Sequence, residues 1–167
     1  VWALLEGNYH YGFLALDMRN LSWTPAENPP STLPWLWITA SFALVYGLLY
    51  TRKISWETPK TTIAFTGLTV CFFFLYSKGY SPQWLGWLLI FTSILLPNFR
   101  TIMYVIILNI TNLIESNLFF IIFPEEHWLL AATILIRTGL LIVIGFEFCL
   151  IIWPHLETPN LLPVSYT

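Results

Sequence analysis

The sequence predicts an all-α integral membrane protein with about four transmembrane helices and one short or re-entrant helix. Of the 167 residues, 57% are hydrophobic and only 10% are charged, whereas soluble domains carry about 25% charged residues. The hydrophobic residues gather in five long runs, and tryptophans stand at many of their ends. This placement is typical of the aromatic belts of membrane proteins. Water therefore cannot be the main solvent of this chain.

The chain divides into three predicted parts. Residues 1–33 mix aromatic and charged side chains with three prolines, which break a continuous helix, so we expect an extracytoplasmic or interfacial loop there. Residues 34–153 form the predicted helical bundle, and residues 154–167 form an extended tail. Because no initiator methionine or signal sequence opens the chain, we expect it to be part of a longer polypeptide.

The predicted bundle contains five apolar runs, at residues 34–50, 61–77, 84–96, 101–123 and 128–153. The first two are near the lower length limit for crossing a bilayer. The third is shorter, so it either crosses with a tilt or a thinned bilayer, or re-enters from one side. The last two are long enough to cross, and we expect the polar turn at 124–127 to join them as an antiparallel pair.

Basic side chains predict the orientation of the bundle. Three of the seven basic residues fall in the loop 51–60, and Arg100 lies on the same side if the third run crosses. Because cytoplasmic loops carry an excess of lysine and arginine, we predict that loop 51–60 is cytoplasmic. Residues 78–83 and 124–127 are then extracytoplasmic.

Ionisable side chains inside the predicted spans each need a partner, since insertion at bilayer depth costs roughly 2.5–3.5 kcal/mol. Counted at about 1.5 Å per residue from the shared turn, Glu115 lies about 12 Å deep and Arg137 about 13 Å deep. Equal depth on antiparallel neighbours predicts a Glu115–Arg137 ion pair, whether as a structural clamp or with a further role. Glu147 lies near the opposite interface, and we expect it to snorkel there.

A polar stripe is predicted on the fourth run. Asn109, Asn112 and Ser116 recur at spacings i, i+3 and i+7, which places them on one face of a helix with Glu115 at its edge. Such a stripe faces protein or water rather than lipid. Hydrogen bonding between helices explains it, as does a groove for a substrate or a lipid headgroup.

Several functional classes are disfavoured by what the sequence lacks. No basic run could follow a phosphate backbone, so nucleic acid is not an expected partner. His10, His127 and His155 are far apart and lack a second ligand at the spacing of a metal motif, so we predict no metal site. Without a glycine-rich phosphate loop, a nucleophile elbow or paired haem ligands, we predict no cofactor.

A cationic polar turn joins the second and third runs, and residues 76–88 read Tyr-Ser-Lys-Gly-Tyr-Ser-Pro-Gln-Trp-Leu-Gly-Trp-Leu. Pro82 suits the first turn of a helix, and Ser81 can cap that helix. Lys78 can face an anion at the positive helix end. The alternative interpretation is a capped helix start beside a snorkelling lysine.

This string resembles the Lys-x-x-Ser-Pro-Gln-Tyr/Trp-Leu-x-Trp-Leu pattern of GT-C glycosyltransferases that use polyprenyl-phosphate sugars. Glycosylphosphatidylinositol mannosyltransferases and mycobacterial-type bacterial relatives belong to this group. A second stretch, Leu4 to Gly12 followed by Asp17-Met18-Arg19, is similar to the helix end and the arginine-containing loop before the later spans of such enzymes. Together the similar stretches cover about a fifth of the chain.

The resemblance implies that the chain is the C-terminal membrane half of a transferase that moves a sugar from a polyprenyl-phosphate donor. It implies that Arg19, Lys78, Ser81 and Gln83 bind the substrate phosphate, with the cations neutralising the charge of the leaving group. The acidic base of that family lies in the first extramembrane loop after the first helix. The resemblance therefore implies that the base is outside this chain, and the catalytic residues remain unknown.

A second interpretation is a non-catalytic subunit of a larger membrane complex that holds lipids or pigments between its spans. The chain is short, rich in aromatic residues and without a complete set of active-site residues, so its residues alone leave open whether it is an enzyme. Membrane lipids are expected partners under both interpretations. The first adds a polyprenyl-phosphate sugar, and the second adds other membrane subunits.

Overall fold

The computed structural model describes residues 1–5, 33–54, 56, 58–77, 84–96, 99–123 and 126–154. These residues contain six α-helices and no strand: α1 (Trp2–Leu5), α2 (Trp35–Thr51), α3 (Pro59–Tyr76), α4 (Leu85–Leu95), α5 (Phe99–Leu113) and α6 (His127–Ile152). Directly after α5 the chain continues as a π-helix, Ile114–Ile122. The predicted all-helical class is confirmed for this part of the chain.

Three helical segments among the described residues are long and apolar enough to cross a membrane: Pro59–Tyr76, Phe99–Phe119 and His127–Ile152. Helices α2 and α4 are apolar but shorter, with 17 and 11 residues, whereas a full crossing takes about 20. The structure therefore supports a membrane-embedded helical bundle with three full-length candidate spans. The predicted count of four full spans stays a prediction.

Helix α3 begins two residues before the predicted run because local capping favours that start. The hydroxyl of Thr58 accepts a hydrogen bond from the main-chain N–H of Thr61 at 3.3 Å. Pro59 occupies the first helical turn, where its missing N–H costs no hydrogen bond and its fixed φ suits a helix. The other helix bounds differ from the predicted runs by one or two residues.

The core lies between α3 and α6, which share the most extensive contact in the described bundle. Leu68 and Cys71 of α3 are buried there, as are Ile144 and Phe148 of α6. Helix α4 packs on α3 and buries Leu88 completely. Because lipid tails are as apolar as these side chains, close packing rather than water exclusion holds such helices together.

Side-chain contacts define two ends of the bundle. At the first, which we call the Lys53 end, the indole N–H of Trp153 donates to the main-chain oxygen of Lys53 at 3.2 Å. Arg100 lies at this end as well, because it pairs with Glu147 on the last turns of α6. At the other end, the Trp84 end, the ring of Trp84 is stacked on that of α3 residue Phe74, with ring centroids 5.9 Å apart. The third predicted apolar run, which contains α4, therefore extends from the Trp84 end towards the Lys53 end.

The Trp84 end also contains the beginning of α6. The indole N–H of Trp2 donates to the main-chain oxygen of Leu75 at 2.9 Å, which fixes α1 beside the last turn of α3. Leu4 of the same short helix packs against a cluster of Phe119, Leu130 and Ile134. The last turn of α3 and the beginnings of α4 and α6 therefore all lie at this end. Which end is cytoplasmic stays a prediction.

Candidate functional site

The four residues that the resemblance assigns to phosphate binding, Arg19, Lys78, Ser81 and Gln83, lie outside the described residues. The structure does describe Ser77, directly before the cationic turn, and Trp84, directly after it. Both belong to the Trp84 end. The assigned roles therefore stay predictions, and the flanking residues supply the geometry on which they can be argued.

The apolar half of the motif has a packing explanation. Leu85 is 5% exposed and Leu88 is fully buried against the core. Trp84 lies against two consecutive rings of α3, with centroid distances of 5.6 Å to Phe73 and 5.9 Å to Phe74. These contacts hold the start of α4 against the end of α3. Packing thus accounts for the Trp-Leu-x-x-Leu pattern at residues 84–88.

Aromatic side chains line the rest of the Trp84 end. Trp2 meets Trp35 edge to face at a centroid distance of 5.4 Å, and Trp35 meets Tyr76 in the same way at 6.4 Å. The hydroxyl of Tyr76 is hydrogen-bonded to that of Thr39 at 2.9 Å. Tryptophan and tyrosine concentrate where hydrocarbon meets the polar headgroups. This end therefore has the composition expected of a membrane interface.

A buried ion pair joins the π-helix to α6. A guanidinium N–H of Arg137 donates to a carboxylate oxygen of Glu115, and each side chain is only 7% exposed. The Glu115–Arg137 pair predicted from equal depth is confirmed. Two charges buried together offset part of the cost of removing each from polar surroundings, while either one alone would be strongly destabilising.

The π-helix around Glu115 is an unusual backbone element. The main-chain N–H of Phe123 donates to the oxygen of Leu118, five residues earlier, at 2.7 Å. This i+5 pattern is rare, occurs mostly in single turns and is frequent at functional sites. Here the segment runs over nine residues, Ile114–Ile122, and carries the acidic partner of the ion pair.

The predicted polar stripe is rotated by one residue from the face that packs inward. The residues that point inward are Leu108, Thr111 and Glu115, each one position before a member of the stripe. Asn109 is exposed, and its amide donates to the main-chain oxygen of Val105 on its own helix at 2.7 Å. Glu115 belongs to the inward row, where it pairs with Arg137 of α6.

Two members of the stripe are half-buried. The hydroxyl of Ser116 donates to the main-chain oxygen of Asn112 at 2.7 Å. The side-chain oxygen of Asn112 is buried and, among the described residues, has no hydrogen-bond partner. Burying such an acceptor costs free energy. Among the described residues, the side-chain oxygen of Asn112, one helical turn before Glu115, therefore accepts no hydrogen bond.

A second charged cluster lies at the Lys53 end and involves Glu147. Arg100 donates to a carboxylate oxygen of Glu147 at 3.2 Å, and the hydroxyl of Tyr104 donates to the same oxygen at 3.2 Å. The sequence predicts that Glu147 snorkels to the interface and indicates no partner for it. The depth count that found the first pair gives about 35 Å for Arg100 and about 29 Å for Glu147, one helical turn apart. The similar depth of Arg100 and Glu147 could therefore have predicted that they form an ion pair.

The described residues contain no group of three His, Cys, Asp or Glu side chains that could hold a metal ion. Comparison with known proteins gives no match to this chain among family models, curated proteins or solved structures.

Proposed function

We propose that this chain is a membrane segment of a GT-C-like glycosyltransferase that moves a sugar from a polyprenyl-phosphate donor to a lipid or glycan acceptor. The proposal rests on the motif at residues 76–88, which consists of a polar half, residues 76–83, and an apolar half, residues 84–88. Its apolar half is explained by burial of Leu85 and Leu88. Its polar half, with Lys78, Ser81 and Gln83, lies outside the described residues and is the half that resembles a phosphate-binding pattern.

The surroundings of the motif support the same proposal. Ser77 and Trp84 flank the six-residue polar segment and are held at one end of the bundle by the packing of Trp84 on Phe73 and Phe74. That end carries an aromatic belt, where the phosphate of a polyprenyl lipid would meet its hydrocarbon chain. A cation in the segment could then reach the phosphate while the isoprenoid tail stays in the membrane.

In this proposal the residues of this chain stabilise charge during sugar transfer. Transfer breaks the bond between the anomeric carbon of the sugar and the phosphate oxygen, and the polyprenyl phosphate leaves with the bonding electrons. Lys78 and Arg19 would stabilise the negative charge that develops on this phosphate. The oxygen of the acceptor hydroxyl forms the new glycosidic bond. Its proton goes to a carboxylate that acts as the general base, and the resemblance places this carboxylate outside this chain.

The proposal is tested by measuring sugar transfer in membranes that contain the full protein, with a polyprenyl-phosphate sugar as donor. Lys78→Ala should lower the transfer rate by about 10²–10³-fold, the usual loss when one preorganised charge-stabilising group is removed. Lys53→Ala is the matched control, since it removes an equal charge at the opposite end of the bundle. Equal activity of these two variants would overturn the proposal.

A second candidate function, a non-catalytic subunit of a larger membrane complex, is favoured by one observation. Asn109 and Asn117 are exposed on the helical segment 99–122. Among the described residues, their amides donate to Val105 and Ser116 of that same segment. Amide side chains in a membrane commonly hydrogen-bond to a neighbouring helix. This surface is therefore suited to contact with another protein.

Purification in a mild detergent separates the two functions. A subunit should elute in constant stoichiometry with its complex, and Asn109→Leu should release it, because leucine cannot form a hydrogen bond between helices. Lys78→Ala should then leave the complex and its activity unchanged. A chain that elutes without partner proteins and loses sugar transfer on the Lys78 substitution would instead support the transferase.

A further inference from the structure

An open groove lies at the Lys53 end, between the first turn of α3 and the last turns of α6. Its volume is about 340 Å³. Its lining includes Thr58, Lys60 and Thr61 on one side, and Glu147, Leu150 and Ile151 on the other. None of these residues belongs to the cationic turn or to the buried ion pair, so the groove is separate from the proposed transferase site.

The charges that the described residues place around the groove leave a positive balance. Glu147 is paired with Arg100 at 3.2 Å and also accepts a hydrogen bond from Tyr104, so its negative charge is compensated. Lys60 is exposed, and no ion pair joins it to another described residue. The ammonium group of Lys60 is therefore a cation at the groove without a paired carboxylate in the described structure.

The neutral lining is amphipathic. The hydroxyl groups of Thr58 and Thr61 lie 2.6 Å apart and form one hydrogen bond with each other, so they add a polar surface beside Lys60. Leu150 and Ile151 add an apolar wall on α6. Trp153, whose indole N–H donates to the main-chain oxygen of Lys53, marks this level as the interfacial end of the helix. A ligand of the groove should thus combine an anion with hydrocarbon.

We propose that this groove binds the headgroup of an anionic phospholipid through its phosphate diester. Lys60 donates to a phosphate oxygen, and the threonine hydroxyls face the glycerol part of the headgroup. The first carbons of the acyl chains lie along Leu150 and Ile151. Basic pockets between transmembrane helices are a known means of binding anionic headgroups. This inference does not depend on the transferase proposal.

Native mass spectrometry of the full protein in a neutral detergent tests the site, with dioleoylphosphatidylglycerol and dioleoylphosphatidylcholine as probes. The wild-type protein should retain one phosphatidylglycerol more tightly than phosphatidylcholine. Lys60→Ala should weaken that binding about tenfold, the loss expected for one charge-assisted hydrogen bond. Lys53→Ala, which removes an equal exposed charge outside the groove, should change it less than twofold, a difference of about 0.4 kcal/mol.

A second variant tests the charge argument without removing the cation. Glu147→Gln keeps the shape of the side chain but removes the negative charge that faces Arg100, so phosphatidylglycerol should bind several-fold more tightly. Unchanged or weaker phosphatidylglycerol binding would show that the charge balance at the groove does not control the binding, and would overturn the proposal. If Lys60→Ala and Lys53→Ala weaken phosphatidylglycerol binding equally, the lipid responds to the overall surface charge and not to this groove. That result would overturn the proposal. Displacement of the lipid by millimolar sn-glycerol 3-phosphate would assign a soluble phosphate ester and also overturn it.

Discussion

The ring of Phe148 in α6 lies directly on the main chain of Gly67 in α3. A β-carbon built at residue 67 would stand 2.7 Å from Cε2 of that ring, a distance at which something must move. Phe148 is completely buried, so the ring has little room to withdraw. The packing of the Phe148 ring on α3 thus depends on the absence of a side chain at position 67.

We expect Gly67→Ala to destabilise the bundle by about 1–3 kcal/mol, the usual cost of overpacking a filled core. Thermal unfolding in detergent measures the change. Gly145→Ala is the matched control, because its β-carbon would meet Cys71 at 3.6 Å, an ordinary contact. Alanine also favours the helix over glycine by about 0.5–1 kcal/mol, so the control should be neutral or stabilising. Equal stability of the two variants would contradict the described helix contact.

The buried ion pair gives a second prediction. Arg137→Met leaves the carboxylate of Glu115 buried without its partner, which should cost about 3–5 kcal/mol. The free energy of unfolding in mixed detergent micelles measures the loss. The double variant Glu115→Leu, Arg137→Met should recover most of it, because replacing a whole buried pair by apolar side chains is often neutral. Additive losses in the double variant would mean that the two charges do not stabilise each other.

The same double variant separates a structural clamp from a functional pair. If the pair only joins the π-helix to α6, restored stability should restore every activity of the protein. If the charges also act on a ligand, the double variant should be stable and inactive. An activity assay at matched folded concentration therefore decides between the two roles that the sequence left open for Glu115 and Arg137.

The depth of polar groups could be predicted from the sequence, but their rotation around the helix axis could not. Depth depends only on the rise per residue and on the position of the turn, and this was enough to pair Glu115 with Arg137. Rotation depends on the neighbours and on regular α-helical geometry. The polar stripe at Asn109 and Asn112 was placed one residue away from the inward row, and the π-helix that follows changes the number of residues per turn.

The contact between α3 and α6 could not be predicted from the sequence, for a different reason. The apolar residues of α3 and α6 are spread around both helices without an amphipathic face, so no periodicity indicates which face of each packs on the other. The contact of Gly67 with Phe148 emerges only when both helices are in place. The predicted phosphate-binding residues Arg19 and Lys78 lie outside the described residues, so their assignment stays a prediction.

The aromatic contact at the start of α4 gives a third prediction. Trp84 lies against both Phe73 and Phe74, and aromatic pairs contribute about 0.5–1.5 kcal/mol each beyond burial. We therefore expect Trp84→Ala to lower the free energy of unfolding by about 1–3 kcal/mol. Trp87→Ala is the control, since its ring is 63% exposed. Equal effects of the two substitutions would show that the stacked geometry contributes nothing of its own.

The exposed ion pair at the Lys53 end should respond differently from the buried one. The side chain of Arg100 is 70% exposed, so water and salt screen its attraction to Glu147, and Tyr104 still donates to that carboxylate when the arginine is removed. Arg100→Ala should therefore cost less than about 1 kcal/mol. The loss should vanish near 1 M salt, where the screening length falls to about 3 Å.

The salt dependence is the measurement that compares the two pairs. Unfolding of Arg100→Ala and of Arg137→Met is followed from 0.05 to about 1 M sodium chloride, and each is compared with wild type at the same salt concentration. The effect of Arg137→Met should stay constant, because both partners of that pair are 7% exposed and exclude ions. A loss for Arg137→Met that fades with salt would mean that water reaches Glu115. The pair would then border an aqueous cavity, which would make it a candidate binding site rather than a clamp.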